Sequence, residues 1–235
     1  MNFQELGIDE RLLEGAPALR DQAPFHEKML AHALKGENVC ARITMARGRE
    51  AVFLLPALQW LAASADPAAR ILCILPDDAQ AGKLAEEASR LGSGLGLRAC
   101  VASLPSPAEG PVLEGDPSAP FLAGSVGAIL ASQGLINLKD FGFLLVDGGE
   151  AIAELPSESL HHLQAALKPA WERKTIVVCG KISVKAKNLA WDLSDNPVEI
   201  HIEGEAAMAQ SVSHETWHIA SEAKLSFLLG LIARL

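Results

Sequence analysis

From residue 39 onward the chain alternates short apolar runs with longer amphipathic stretches. Val39, Cys40, Ala41 and Ile43 form the first run, which predicts a buried strand, and residues 50–61 follow as a helix with apolar faces. The same reading predicts further strands over 70–75, 97–102, from 122, 141–146, 175–179 and 198–202. Between them it predicts helices over 79–91 (ended by Gly92), 125–132, 157–167 and 183–191, with Ser157 as an N-cap and Pro169 beyond that helix's end. Ahead of the first strand, Pro24 suits the first turn of a helix reaching residue 34, which Gly36 ends. Residues 1–23 are a polar lead-in with one apolar cluster: Phe3, Leu6, Ile8, Leu12 and Leu13. Alternation of this kind predicts an α/β fold, a mostly parallel sheet with helices on both faces. In such sheets ligands sit at the carboxyl ends of the strands. Residues 105–120 break the rhythm: five prolines without a Lys or Arg predict a solvated acidic loop.

The length of 235 residues suits one large domain, or one domain and a fragment of a second. An apolar content of 49% supports a sizeable core. No apolar run approaches the ~20 residues that a membrane helix needs, so no membrane partner is expected. The acidic start lacks a signal peptide's apolar segment. Cys40, Cys73, Cys100 and Cys179 are widely spaced, each within or beside an apolar run; this predicts four buried thiols in a reducing, cytoplasmic setting rather than disulfides or zinc ligands. The net charge of −9 argues against nucleic acid, although an acidic domain can carry a local basic patch.

The candidate chemistry lies in residues 38–53, NVCARITMARGREAVF, which read strand, turn, helix. A phosphate-binding loop has this layout and the form G-x-x-x-x-G-K-[ST], its backbone N–H groups facing the phosphates. Here the eight positions are Ile43, Thr44, Met45, Ala46, Arg47, Gly48, Arg49 and Glu50. The second glycine is kept, arginine replaces lysine, and a carboxylate replaces the Mg²⁺-binding hydroxyl. On its own this is equally an ordinary βα turn, with Glu50 favoured by the helix dipole and paired with Arg47 or Arg49. Arg42, Arg47 and Arg49 read as one patch neutralised by Glu50. His214 and His218 lie four apart in a strand-like stretch and are not expected to hold zinc, and His161 and His162 face apart on a helix.

A series of stations, in order along essentially the whole chain, resembles the N-terminal RecA-like domain of DEAD-box RNA helicases. Phe3, Leu6, Gly7, Ile8, Leu12 and Leu13 resemble the family's opening, and residues 23–26 stand at the adenine-reading Q motif, with His26 in the glutamine's place. Gly36 and Asn38 match G-x-D before the phosphate loop, and Phe53, Leu54, Leu55 and Pro56 match F-L-L-P after it. PDDAQA (76–81) stands at P-T-R-E-L-A, AGSV (123–126) at T-P-G-R, DGGE (147–150) at D-E-A-D and CGK (179–181) at S-A-T. NLAWDLSDNP (188–197) resembles the segment that closes this domain.

The resemblance implies a RecA-like, P-loop NTPase-like fold over residues 1–204, with residues 205–235 as linker and start of an otherwise missing second RecA-like domain. It places Phe3, His26, Ala46, Arg47, Gly48, Arg49, Glu50 and Asp147 at nucleotide-binding positions. Pro76, Asp77, Asp78, Gly124 and Val126 fall at RNA-facing ones. The departures imply loss of chemistry. Asp147 is kept, but Gly148 stands where the family's glutamate activates water, so a general base is missing there. His26 offers one hydrogen bond to adenine where a glutamine offers two. Asp77, Asp78 and Val126 remove the positive charge expected at an RNA surface. The expectation is a degenerate helicase domain without ATP hydrolysis, a pseudoenzyme with no metal or cofactor, weak or absent RNA binding, and a protein partner. The alternatives are a working ATP-dependent RNA helicase domain using ATP and Mg²⁺, or a nucleotide sensor without turnover. The apolar tail, with Leu225, Phe227, Leu228, Leu229, Leu231 and Ile232, needs cover, either by folding back on its own domain or, as expected, by docking on a second copy in a homodimer through residues 205–235.

Overall fold

The structure, a computed structural model of the whole chain, describes residues 6–14, 23–44, 48–106, 108–203 and 224. The chain divides into two units, Met1–Gly204 and Glu205–Leu235, and the description that follows concerns the first. Its centre is an eight-stranded sheet: β1 (Val39–Thr44), β2 (Ile71–Leu75), β3 (Ala99–Ser103), β4 (Val112–Glu114), β5 (Phe121–Ser125), β6 (Phe143–Asp147), β7 (Lys174–Cys179) and β8 (Val198–Glu203). The order is β4-β3-β5-β2-β6-β7-β1-β8, and every pairing is parallel except the antiparallel β3–β4 pair. This is the RecA-like architecture.

Two apolar layers cover the sheet. One packs Ala41, Ile43, Cys73 and Leu145 against α1 (Glu10–Glu14), α2 (Ala23–Ala33), α3 (Arg49–Ala63) and α4 (Asp78–Leu91). The other packs Cys40, Leu72, Leu144 and Val177 against α5 (Val126–Ala131), α6 (Gly149–Ile152), α7 (Ser157–Ala166) and α8 (Val184–Leu193). Alternate residues of one strand serve opposite layers, as the pleat requires. Burial on both faces explains why β2 and β6 are apolar without alternation. Residues 51–59 of α3 are buried throughout, which fits a helix lying over the middle of the sheet. All four cysteines are buried and unpaired.

Polar side chains fix the joins. Asn38 enters β1 between the starts of β7 and β8: its Nδ2 donates to Asp195 O at 2.7 Å and its Oδ1 accepts from Thr175 N at 2.9 Å. Buried Gln59 accepts from Asp9 N at 2.7 Å and anchors the N-terminal segment.

The proline-rich segment departs from its expected form. It contains β4, an edge strand whose pairing with β3 extends from Val101–Glu114 to Ser103–Val112. Proline excludes a central strand, and at an edge one side of the backbone needs no partner. Ser157 also differs: it opens α7 as a helical residue, Pro156 precedes it, and no side chain caps that end. Among the described residues, no helix is long and apolar enough to cross a membrane.

Candidate functional site

Gly48 carries the chain from β1 into α3. Its φ of 70° lies in the left-handed region, where a side chain is strained and glycine is not. Arg49 is thereby the first residue of α3, beside the carboxyl end of β6, where Asp147 is the last strand residue. Their side chains meet as a two-pronged ion pair: Arg49 Nη1 donates to Asp147 Oδ2 at 2.9 Å, and Nη2 donates to Oδ1. The Arg49 side chain is 22% exposed and that of Asp147 only 9%, so the pair is largely shielded from water. The guanidinium lies 5.6 Å from the ring centre of Phe53, one helical turn on. Burial alone would lower the Arg49 pKa; the Asp147 hydrogen bonds and charge, with Glu50 and Glu150 further off, outweigh it and hold the group above its ordinary value.

Beside this pair a cleft of about 450 Å³ opens between the sheet's carboxyl end and α4. Leu75 and Leu84 give it an apolar wall; Glu50, Gln80, Lys83 and Glu87 give it polar ones. Arg90 also lines it and is bridged to Glu87 at 2.6 Å.

The turn after Asp147 is sterically closed. Gly148 has φ 73°, and a Cβ there would lie 2.6 Å from Pro76 Cγ. At Gly149 a Cβ would lie 2.8 Å from Val177 Cγ1 and 2.9 Å from Cys179 Sγ. Glu150 turns to the exit of β7, where its Oε1 accepts from Gly180 N at 2.9 Å. The Cys179 thiol is pushed far up, first by its hydrogen bond with Cys40, then by burial and by Glu150.

No protein-family model matches the chain. Among curated proteins it is similar to the ATP-dependent RNA helicase DDX47 of Drosophila melanogaster, 24% identical over 244 residues, covering 100% of this chain and 47% of that protein. It is also similar to the ATP-dependent RNA helicase RhlB of Shewanella denitrificans, 22% identical, covering 89% of this chain and 50% of that protein. The chain thus spans about half the length of the curated relatives it matches. Among solved structures, a DEAD box protein from Methanococcus jannaschii superposes with a TM-score of 0.70 at 15% identity, covering 99% of this chain and 63% of that one. Prp28 of Chaetomium thermophilum bound to ADP gives 0.69 at 17%, covering 99% and 57%. The chain is a homologue of the DEAD-box RNA helicases.

Against the DEAD-box pattern, the cleft brings together Gly48, Arg49, Glu50 and Asp147. Phe3, Ala46 and Arg47 lie outside the described residues, as does the side chain of His26, which falls within α2. The partner expected for Arg49 changes: it is Asp147, not Glu50, which stays exposed at the rim. Nor do Arg42 and Arg49 form one patch, because Arg42 pairs with Glu203 at 3.2 Å.

The DEAD-box RNA-facing positions hold structural roles here. Asp77 caps α4, accepting from Gln80 N at 2.9 Å. Asp78 Oδ2 accepts from Leu104 N at 2.7 Å, tying α4 to the end of β3. Gly124 and Val126 are buried, and a Cβ at Gly124 would lie 2.9 Å from Ala102 O. Pro76 packs on Gly148. His214 and His218 lie outside the described residues, while His161 and His162 are both exposed on α7. Sequence reasoning missed the Arg49–Asp147 pair. Its signal was an arginine and an aspartate at two positions that converge at the sheet's carboxyl end, 98 residues apart.

Proposed function

We propose that this is a degenerate DEAD-box domain that does not hydrolyse ATP and works as an interaction or scaffold module. The observation that supports this most is the Arg49–Asp147 pair. In this fold phosphoryl transfer rests on positioning and on charge stabilisation by a cation and a metal-holding carboxylate. Here the cation at the lysine position and the aspartate neutralise each other, and both carboxylate oxygens are engaged. Glu50, in place of the hydroxyl, adds negative charge where phosphates would sit. A carboxylate ~4 Å from a phosphate oxygen is unfavourable by roughly 4 kcal/mol per unit charge at an effective dielectric near 20. The residues present therefore do not fit MgATP. Among similar solved structures, S. cerevisiae Dbp5 is bound to Gle1 and IP6, which supports an interaction role.

An ATPase assay with single-stranded RNA tests the proposal: phosphate release should stay at the no-enzyme background, and turnover saturable in ATP would refute it. The second reading, a domain that binds ATP and RNA, is supported by the retained Asp147 and by the open cleft beside it. The proposal extends to domain roles, residues 1–204 as the RecA-like domain and 205–235 as the start of a second one, with cytoplasmic location and a homodimer through the apolar tail.

A further inference from the structure

Four large apolar side chains are exposed on connections that lead into strands from the end of the sheet opposite the cleft. Leu34 lies between α2 and β1, Leu135 between α5 and β6, Trp171 in the turn Ala170–Glu172 before β7, and Trp191 in the last turn of α8 before β8. The strands they lead into, β6-β7-β1-β8, are consecutive neighbours in the sheet. Strand spacing of about 4.8 Å puts the four entries within roughly 15 Å across the sheet. Trp171 is 77% exposed, a large apolar surface to leave in water.

Beside Trp171 is a recess of about 290 Å³, which Trp60 also lines. Its charges are unevenly committed. Arg173 is buried and donates to Leu193 O at 2.6 Å; Lys174 donates to Gly36 O at 2.6 Å. The fold thus uses both cations on its own carbonyls. Asp66, Asp140 and Glu172 line the same recess, are exposed, and make no ion pair among the described residues. Lys168 is the one lining lysine outside these arrangements. The cations Arg173 and Lys174 are tied to the fold's own carbonyls, whereas the three carboxylates are exposed and outside ion pairs on a chain of net charge −9, which disfavours a nucleic-acid backbone and favours a cationic partner. If two copies met at this face the same carboxylates would oppose one another, so a second copy is disfavoured here.

We propose that this face docks a segment of a partner protein that inserts a large apolar side chain between Trp60 and Trp171 and sets lysines or arginines against Asp66, Asp140 and Glu172. The proposal deepens the interaction-module reading and rests on it for its purpose. An apolar anchor in a recess with a charged rim is the arrangement that concentrates binding energy at protein interfaces.

The test uses two fluorescein-labelled synthetic peptides with the same Leu-Phe-Leu core, one flanked by lysines and the other by glutamates. Anisotropy titrations of the full chain should show saturable binding of the lysine peptide and at least tenfold weaker binding of the glutamate peptide. Trp171→Ala and Glu172→Lys, both at exposed positions, should each weaken the lysine peptide at least tenfold, with circular dichroism unchanged. Equal affinity for the two peptides, or indifference to Trp171→Ala, overturns the proposal. So does sedimentation showing a dimer that Trp171→Ala dissociates, because the face would then serve a second copy. ATP binding is titrated separately, so failure at the cleft and failure at this face are read independently.

Discussion

Arg49 is where the chemistry of this domain is decided. Its planar fork matches a carboxylate better than a lysine would, and it finds one in Asp147. Removing one member leaves a shielded charge without a partner. Arg49→Met should therefore destabilise the domain by about 3–5 kcal/mol in urea unfolding, and Arg49→Met with Asp147→Leu should recover most of that loss. Additive losses in the double variant would count against the pair as a unit. Gly148 marks a second limit. A glutamate there needs a left-handed backbone and a Cβ 2.6 Å from Pro76 Cγ. Gly148→Glu should lower stability by about 2 kcal/mol or more and restore no ATPase activity. A stable, active Gly148→Glu variant would contradict the steric argument. The sequence disclosed which residue types occupy these positions, because substitution in a motif is visible in one dimension. It did not disclose that Arg49 turns to Asp147 rather than Glu50. That choice depends on two strand ends meeting across β7, which lies between β6 and β1.

At the scale of elements, the strands entering the centre of the sheet were the most legible, because burial on both faces leaves β2 and β6 as continuous apolar runs. β4 was hidden, since two flanking turns and the prolines around it mask a three-residue strand that pairs on one side only. The short α6 was hidden as well: its four residues are held by the Asp147 turn rather than by a periodic pattern. Asp77 illustrates how an element claims a residue that a motif would assign elsewhere. It caps α4, so Asp77→Ala should cost about 1 kcal/mol of stability and leave RNA retention unchanged within twofold. Thermal unfolding and a filter-binding assay on the same preparation separate the two roles, and a clear gain in RNA binding would place Asp77 at an RNA surface after all.

At the scale of the molecule, charge and topology separate two ends of the sheet. The carboxyl end holds a cleft whose Arg49 is already paired, and the amino end exposes the Trp171 indole beside carboxylates that make no ion pair among the described residues. The sequence conveyed the RecA-like fold through the order of its strands and helices. It did not convey the amino-end face, whose members lie on connections far apart in the chain. With a net charge of −9, the chain should retain single-stranded RNA only weakly and without sequence preference at physiological salt, and submicromolar retention in a gel shift would overturn this. The central claim is that the cleft is satisfied internally by Arg49 and Asp147. Its most direct test is a calorimetric titration of the intact chain with ATP, with and without Mg²⁺. The account predicts no binding heat below millimolar ATP in either condition, whereas Mg²⁺-dependent binding in the micromolar range would contradict it.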